Sequence, residues 1–265
     1  MEGESHNAQA FEEFDTYINF YQSLAQSTCG FATTGTRAPG NIDSYIFSSM
    51  QNTIGSIQTI LKEGKINDAY ALLRKYSDSS VINIYTNLYL DAESTMEKIL
   101  ERESILVEKI HNWLSGKAQL PRLGPMLKYI YASPKAAPVK SEAFSEAEYK
   151  QLRDKCNDHT HYNLFRYVLL NDPEVHVPKR AEAAEQLGAD LRDMFIWHLG
   201  YLFYTQGHYM MSGDYIEYLD AGLTPEADSQ YWVANFVQEI FDNVIKRHRP
   251  DLANLIKRDT TMHLK

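Results

Sequence analysis

An all-α fold, a multi-helix bundle, is predicted by three observations on this 265-residue sequence. Apolar residues recur at spacings of three and four along almost its whole length, the period of a helix that buries one face. No run alternates apolar and polar residues long enough to build a sheet, and Val175-His176-Val177 is too short to carry one. Apolar residues make up 44% of the chain and aromatic ones 12%, enough to fill a substantial core.

The elements follow in order. Phe11, Phe14, Ile18, Tyr21 and Leu24 form one stripe and predict a first helix. Cys29–Gly40, rich in glycine and threonine with one proline, predicts a loop. Asn41 is placed to cap a second helix that runs to about Glu63, where Gly64 can take the left-handed closing conformation. A third helix starts near Ile66, making a tight hairpin over 41–76, and a long helix is expected from Val81 to Leu114. Prolines 121, 125, 134 and 138 mark an irregular connector with one short helix. Ser145 to Glu148 matches a capping box, in which the two side chains satisfy each other's exposed backbone donors. The helix it opens is expected to end near Pro173, and another spans about Lys179 to Gln206. Thr224-Pro225-Glu226 opens a late helix with the stripe Val233, Phe236, Val237, Ile240, Phe241, Val244, and a short helix follows Pro250.

Charge and cysteine content exclude several classes of function. A formal charge of −9 and a pI near 5.5 argue against a general DNA coater or a membrane-surface binder, which need a net basic face. Only two cysteines occur, Cys29 and Cys156, in no metal-like spacing, so a reducing cytoplasmic setting is expected and a disulfide framework is not. Residues Met1 to Phe14 are too acidic for a signal peptide, and the apolar stretch Met194 to Tyr204 is too short to span a bilayer.

The helix after Ser145 breaks its own pattern. Its stripe begins Tyr149, Leu152, Cys156 and then lands on His159 and Asn163, inside the polar run Asn157-Asp158-His159-Thr160-His161-Tyr162-Asn163. Polar groups turned toward a core must find partners, so this island marks either a site or an inter-helix hydrogen-bond network. Arg153 and His159, six positions apart, point about 120° from each other with an axial offset of about 9 Å, a gap that an arginine side chain can bridge. Two other segments carry an arginine and an acid followed by a histidine, six and five positions after the arginine. In Arg192-Asp193…His198 the histidine falls on the stripe Leu187, Leu191, Phe195, Leu202 and reads as a packed core residue; Arg258-Asp259…His263 lies at the C-terminus.

The segment Arg153-Asp154-Lys155-Cys156-Asn157-Asp158-His159 resembles the signature of the HEPN superfamily, small α-helical domains whose active members carry arginine, a polar residue and then histidine. The stretch Ala69–Leu90 is similar to bacterial HEPN-like and abortive-infection proteins, and the resemblance covers about residues 41–206. It implies a HEPN-like core over 41–206, with an N-terminal helix and loop over 1–40 and a C-terminal helical extension over 207–265. It also implies a metal-independent RNA endonuclease, of toxin or antiphage abortive-infection type. Such a protein works as a homodimer, without a cofactor, beside a possible partner protein from the same operon. In that reading His159 exchanges a proton with the ribose 2′-hydroxyl or the leaving oxygen, Arg153 holds the scissile phosphate, and Asp154 orients one of them. Asn157, His161 and Asn163 support the site or contact substrate. DNA is spared because it lacks the nucleophilic hydroxyl. The alternatives are a non-catalytic helical interaction module of the same fold, and a metal-binding bundle built on Glu108–His111 and Asp158–His161. Lys246-Arg247-His248-Arg249 reads as a basic helix end, and Arg74 with Asp78, one turn apart, as a structural pair.

Overall fold

The computed structural model describes residues 2–31, 42–93, 108–172, 174–224, 233–260 and 262–265, and all regular structure among them is helical. α1 (Glu2–Phe31), α2 (Ile42–Lys62) and α3 (Ile66–Glu93) are the long N-terminal helices, followed by α4 (Glu108–Leu114). Next come α5 (Leu123–Ala132), α6 (Ala137–Glu142), α7 (Glu146–Thr160) and α8 (Phe165–Leu169). α9 (Arg180–Thr205) leads through a 3₁₀ turn at Gly207–Met210 to α10 (Gly213–Asp220). α11 (Asn235–Ile240) passes through one π-helical turn (Phe241–Ile245) into Lys246–His248, and α12 (Pro250–Asp259) closes the chain.

α3 is the hub. α2 runs along it on one side, α9 and α7 pack on others, and α5 covers a further part, while α1 lies against α2 and also reaches α9 and α11. One hydrophobic core therefore extends from Phe14 in α1 to Leu264 near the C-terminus. The segments expected as N-terminal helix, core and C-terminal extension all contribute to it.

A helix covered on so many sides cannot keep its polar residues in water. Ser80, Asn83 and Thr86 of α3 are all completely buried. Asn83 sits in a hydrogen-bonded chain that crosses the core. Tyr76 and Tyr21 hydroxyls lie 2.6 Å apart, Tyr21 reaches His198 Nδ1 at 2.7 Å, and His198 Nε2 lies 2.9 Å from Asn83 Oδ1. Asn83 Nδ2 then donates to Asp43 Oδ1 at 2.7 Å, and Tyr209 donates to the other Asp43 oxygen at 3.0 Å. The directions are coupled. With Asn83 accepting, Nε2 carries the imidazole proton, so Nδ1 accepts from Tyr21 and Tyr21 accepts from Tyr76. The expectation of a core histidine at 198 holds.

Three local expectations are revised, and two fall largely outside the described residues. Cys29, Gly30 and Phe31 continue α1, and the rest of the expected loop, with Asn41, lies outside the described residues. The break expected before Val81 does not exist: α3 continues unbroken to Glu93, because Ser77, Asp78 and Ser79 are helical and Ser79 bonds back to Lys75 O. The expected helix to Leu114 is described only from Glu108, since 94–107 lie outside the described residues. The proline-marked connector holds two helices, α5 and α6, with Pro125 and Pro138 in the first turns, where the missing donor costs nothing. The opening expected at Thr224-Pro225-Glu226 falls largely outside the described residues, and helix is seen from Asn235.

Arg180, at the start of α9, ties the loop between α8 and α9 to the α2–α3 turn. Its guanidinium donates to the carbonyls of Gly64, Leu169, Leu170, Asp172 and Val175 at 2.5–3.2 Å. Charge-assisted bonds of this kind are worth about 1.5–3 kcal/mol each but overlap strongly in one fork. Arg180→Ala is expected to cost about 2–3 kcal/mol in urea denaturation, with 170–179 becoming protease-sensitive. A loss under about 0.5 kcal/mol would contradict this role.

Candidate functional site: the α3–α7 seam

The capping box forms as the sequence predicts. Ser145 Oγ accepts from Glu148 N at 3.1 Å and Glu148 Oε2 accepts from Ser145 N at 3.0 Å, which sets where α7 begins and hence which face meets α3. The helix ends at Thr160 rather than near Pro173. Asn163 Nδ2 donates to Asp158 Oδ1 at 2.6 Å and Asn163 N to Asp158 O at 3.1 Å, while Tyr162 takes a left-handed φ of 52°. The polar island thus closes the helix by offering its backbone other partners. Asn163 belongs to that closure.

Along the seam, Tyr149 OH and Ser77 Oγ are 2.9 Å apart, and Arg153 Nη1 is ion-paired with Asp78 Oδ1. Asp78 therefore holds the arginine. Asp154, expected to orient Arg153 or His159, is exposed and paired with Lys150 one turn back.

His159 is sealed. It is 5% exposed, its ring is stacked on Tyr70 (centroids 3.8 Å apart, planes 15° apart) and flanked on the other side by Tyr167 at 4.0 Å. Its Nδ1 lies 2.6 Å from Asn67 Oδ1, so that nitrogen carries the proton. Tyr70 is itself anchored at 2.7 Å to Asp190, which also accepts from Lys155 at 2.8 and 2.9 Å and from Gln186 at 3.0 Å. Burial pushes the His159 pKa down to about 4, against a smaller upward pull from Asp190. A depressed histidine pKa means stability that is fully present above the usual value of 6.5 and is lost as pH falls toward 4. His159→Phe keeps the ring stack and removes the proton site. It is expected to flatten the fall of unfolding free energy between pH 6.5 and 5 by about 1.4 kcal/mol per pH unit. An unchanged slope would show that His159 is not held neutral.

A different imidazole reaches the surface. Arg153, Asn157 and His161 recur every four residues and so share one stripe of α7 and its C-cap. Across from them, Arg74 and Asp78 share one stripe of α3. Arg74 Nη1 lies 3.3 Å from His161 Nε2, and Asp78 pairs with Arg153, so the two α3 residues bond to α7 and not to each other. That revises their reading as a pair. His161 is exposed, Arg74, Asp78, Arg153 and Asn157 are half-buried, and Asn157 Oδ1 is buried without a hydrogen-bond partner among the described residues. The seam thus holds two guanidinium groups, one carboxylate and one accessible imidazole. Such a set can grip a phosphate and exchange a proton beside it. The i, i+4, i+8 repeat of Arg153, Asn157 and His161 was the sequence signal for this stripe; the partnership with Arg74 had no local signal.

Other candidates resolve more simply. Among the described residues no three histidine, cysteine or acidic side chains gather in a group that could hold a metal. Cys156 is buried, and burial pushes its thiol up to about 12, so it packs as a small apolar residue. Lys246 pairs with Asp242 at 2.5 Å and Arg249 with Asp251 at 2.6 Å, as befits a basic helix end. No described helix is long and apolar enough to cross a membrane. Comparison with protein-family models, with characterised proteins and with solved structures gives no match for this chain.

Proposed function

We propose that this chain is a metal-independent RNA endonuclease of HEPN-like type, an effector of the toxin or abortive-infection kind, that acts from the α3–α7 seam. The observation that carries the reading is the exposed His161 imidazole 3.3 Å from the Arg74 guanidinium, on the same helical stripe as Arg153. Arg74 and Arg153 grip the scissile phosphate, and His161 moves the proton. The ribose 2′-oxygen attacks phosphorus as the imidazole takes its proton, and the P–O5′ bond breaks as that proton is passed to the departing 5′-oxygen. The products are a 2′,3′-cyclic phosphate and a 5′-hydroxyl, with no water consumed in this step. His159 has a positioning role, fixing the end of α7 from which His161 projects. A homodimer fits this reading, since Tyr162, Leu164, Phe165 and Val168, all next to His161 in the chain, leave apolar surface exposed, Phe165 as much as 74%.

The test is incubation of the purified protein with RNA in EDTA, with end-group analysis of the products. Cyclic phosphate ends formed without divalent metal are expected. Cleavage that requires metal would reject the mechanism.

A second reading, the non-catalytic interaction module, draws on the ion pair that already neutralises Arg153 and on the sealing of His159. It predicts no RNA cleavage by the wild-type protein under any metal condition.

A further inference from the structure

Beside the seam lies a groove of about 780 Å³ formed by α5, the start of α6–α7 and α7. That volume is within the range of about 300–1,000 Å³ of ligand-sized clefts. Its walls carry four cations, Lys128, Lys140, Lys150 and Arg153, against two carboxylates, Glu146 and Asp154. The whole chain has a net charge of −9, so a cationic lining here runs against the composition of the protein.

Two of the cations hold the two carboxylates: Lys140 bonds Glu146 at 2.7 Å and Lys150 bonds Asp154. These pairs are largely exposed, a setting in which an ion pair is worth no more than about 1 kcal/mol, so a phosphate can displace the carboxylates. Lys128 is exposed and has no carboxylate partner among the described residues. The groove also offers a ring: Tyr131 lines it half-buried, with Lys140 Nζ 5.0 Å from its centroid. A flat aromatic surface beside spaced cations is the arrangement that holds single-stranded nucleic acid, with bases on rings and phosphates on lysines. Arg153 belongs both to this groove and to the seam, so whatever lies along the groove arrives at the candidate catalytic groups.

We infer that the α5–α7 groove is the path of a single-stranded RNA, with phosphates on Lys128, Lys140 and Lys150 and a base against Tyr131, leading the strand to Arg153. This rests on the endonuclease reading for its substrate class. Charge complementarity singles out a polyanion, and an aromatic ring lining the groove favours an unpaired strand over a duplex, whose bases are stacked inside the helix.

One position allows a steric test. A Cβ built on Gly124, in the groove wall, meets no atom within 4 Å, so a large side chain can be added there without disturbing the core. The probe is a fluorescein-labelled 2′-O-methyl oligouridylate, which cannot be cleaved, titrated by anisotropy at several salt concentrations. The wild-type protein is expected to bind saturably with a log–log salt slope of about −2 to −3, the release expected for three or four phosphate contacts on a single strand. Gly124→Trp and Lys128→Glu are each expected to weaken binding at least roughly tenfold while melting at the wild-type temperature, and His161→Ala to bind like wild type. Groove variants that bind like wild type would overturn the proposal, as would displacement of the probe by polyglutamate but not by unlabelled oligonucleotide. The two readings fail separately. Binding without cleavage of ordinary RNA leaves the groove and removes the nuclease; cleavage that survives both groove variants does the reverse.

Discussion

Replacing His198 by alanine is expected to remove about 3–5 kcal/mol of folding stability, a large part of the roughly 5–15 kcal/mol that a domain possesses. Three costs combine. The side chain is completely buried, so its removal leaves a cavity beside Tyr21 and Phe47. The Tyr21 hydroxyl loses its acceptor and Asn83 Oδ1 loses its donor, each in a place water does not reach. The orientation of Asn83 toward Asp43 then has nothing to enforce it. Urea denaturation at pH 7.5 followed by circular dichroism reads the loss. A cost under 1 kcal/mol would mean that the chain from Tyr76 to Asp43 is ornamental. Burial also holds the His198 pKa near 3, so its stabilising effect, like that of His159, disappears as pH drops below 6.5. Asp43 runs the other way, because burial raises its carboxyl to about 6 and protonation favours the fold. Between pH 6 and 4 the unfolded chain holds nearly two imidazole protons that the fold lacks, while the fold holds about one carboxyl proton that the unfolded chain lacks. The net loss is about 1.4 kcal/mol per pH unit.

The largest effect on activity is expected from His161→Ala. Loss of a positioned general acid or base typically costs 10²–10⁴-fold, and removal of a guanidinium that grips the phosphate about 10²–10³-fold. His161→Ala, Arg74→Ala and Arg153→Ala should therefore each abolish EDTA-resistant RNA cleavage to within detection, with melting temperatures close to wild type, since the groups are exposed or half-buried. His159→Phe separates the two histidines. It should retain cleavage at neutral pH, because the residue it replaces touches no surface open to substrate. The opposite pattern, with His159→Phe inactive but folded and His161→Ala active, would return the catalytic role to the buried histidine.

Much of the fold was legible because helices advertise themselves locally. The capping box at Ser145, the stop at Gly64 (φ 75°) and the stripe Val233 to Val244 each appear where periodicity and cap chemistry put them. Boundaries were misread where polar residues play two parts. Ser77, Asp78 and Ser79 looked like a break, yet each finds a partner within or across helices, so α3 runs through. Asp158 and Asn163 looked like part of a helix, yet they end it by bonding each other.

The sequence by itself determined that this chain is helical, that His198 is a core residue and that the polar island after Cys156 had to be satisfied or used, for these follow from period, burial cost and hydrogen-bonding capacity along one strand of chain. Which histidine of the island is sealed and which is open was decided only by tertiary structure. Tyr70 and Asn67 lie about ninety positions before His159, Arg74 is as far from His161, and nothing local records that α3 and α7 will meet in that register. Because α7 ends at Thr160, the register that seals His159 against Tyr70 and Asn67 leaves His161 at the rim of the same seam, beside Arg74 and open to solvent.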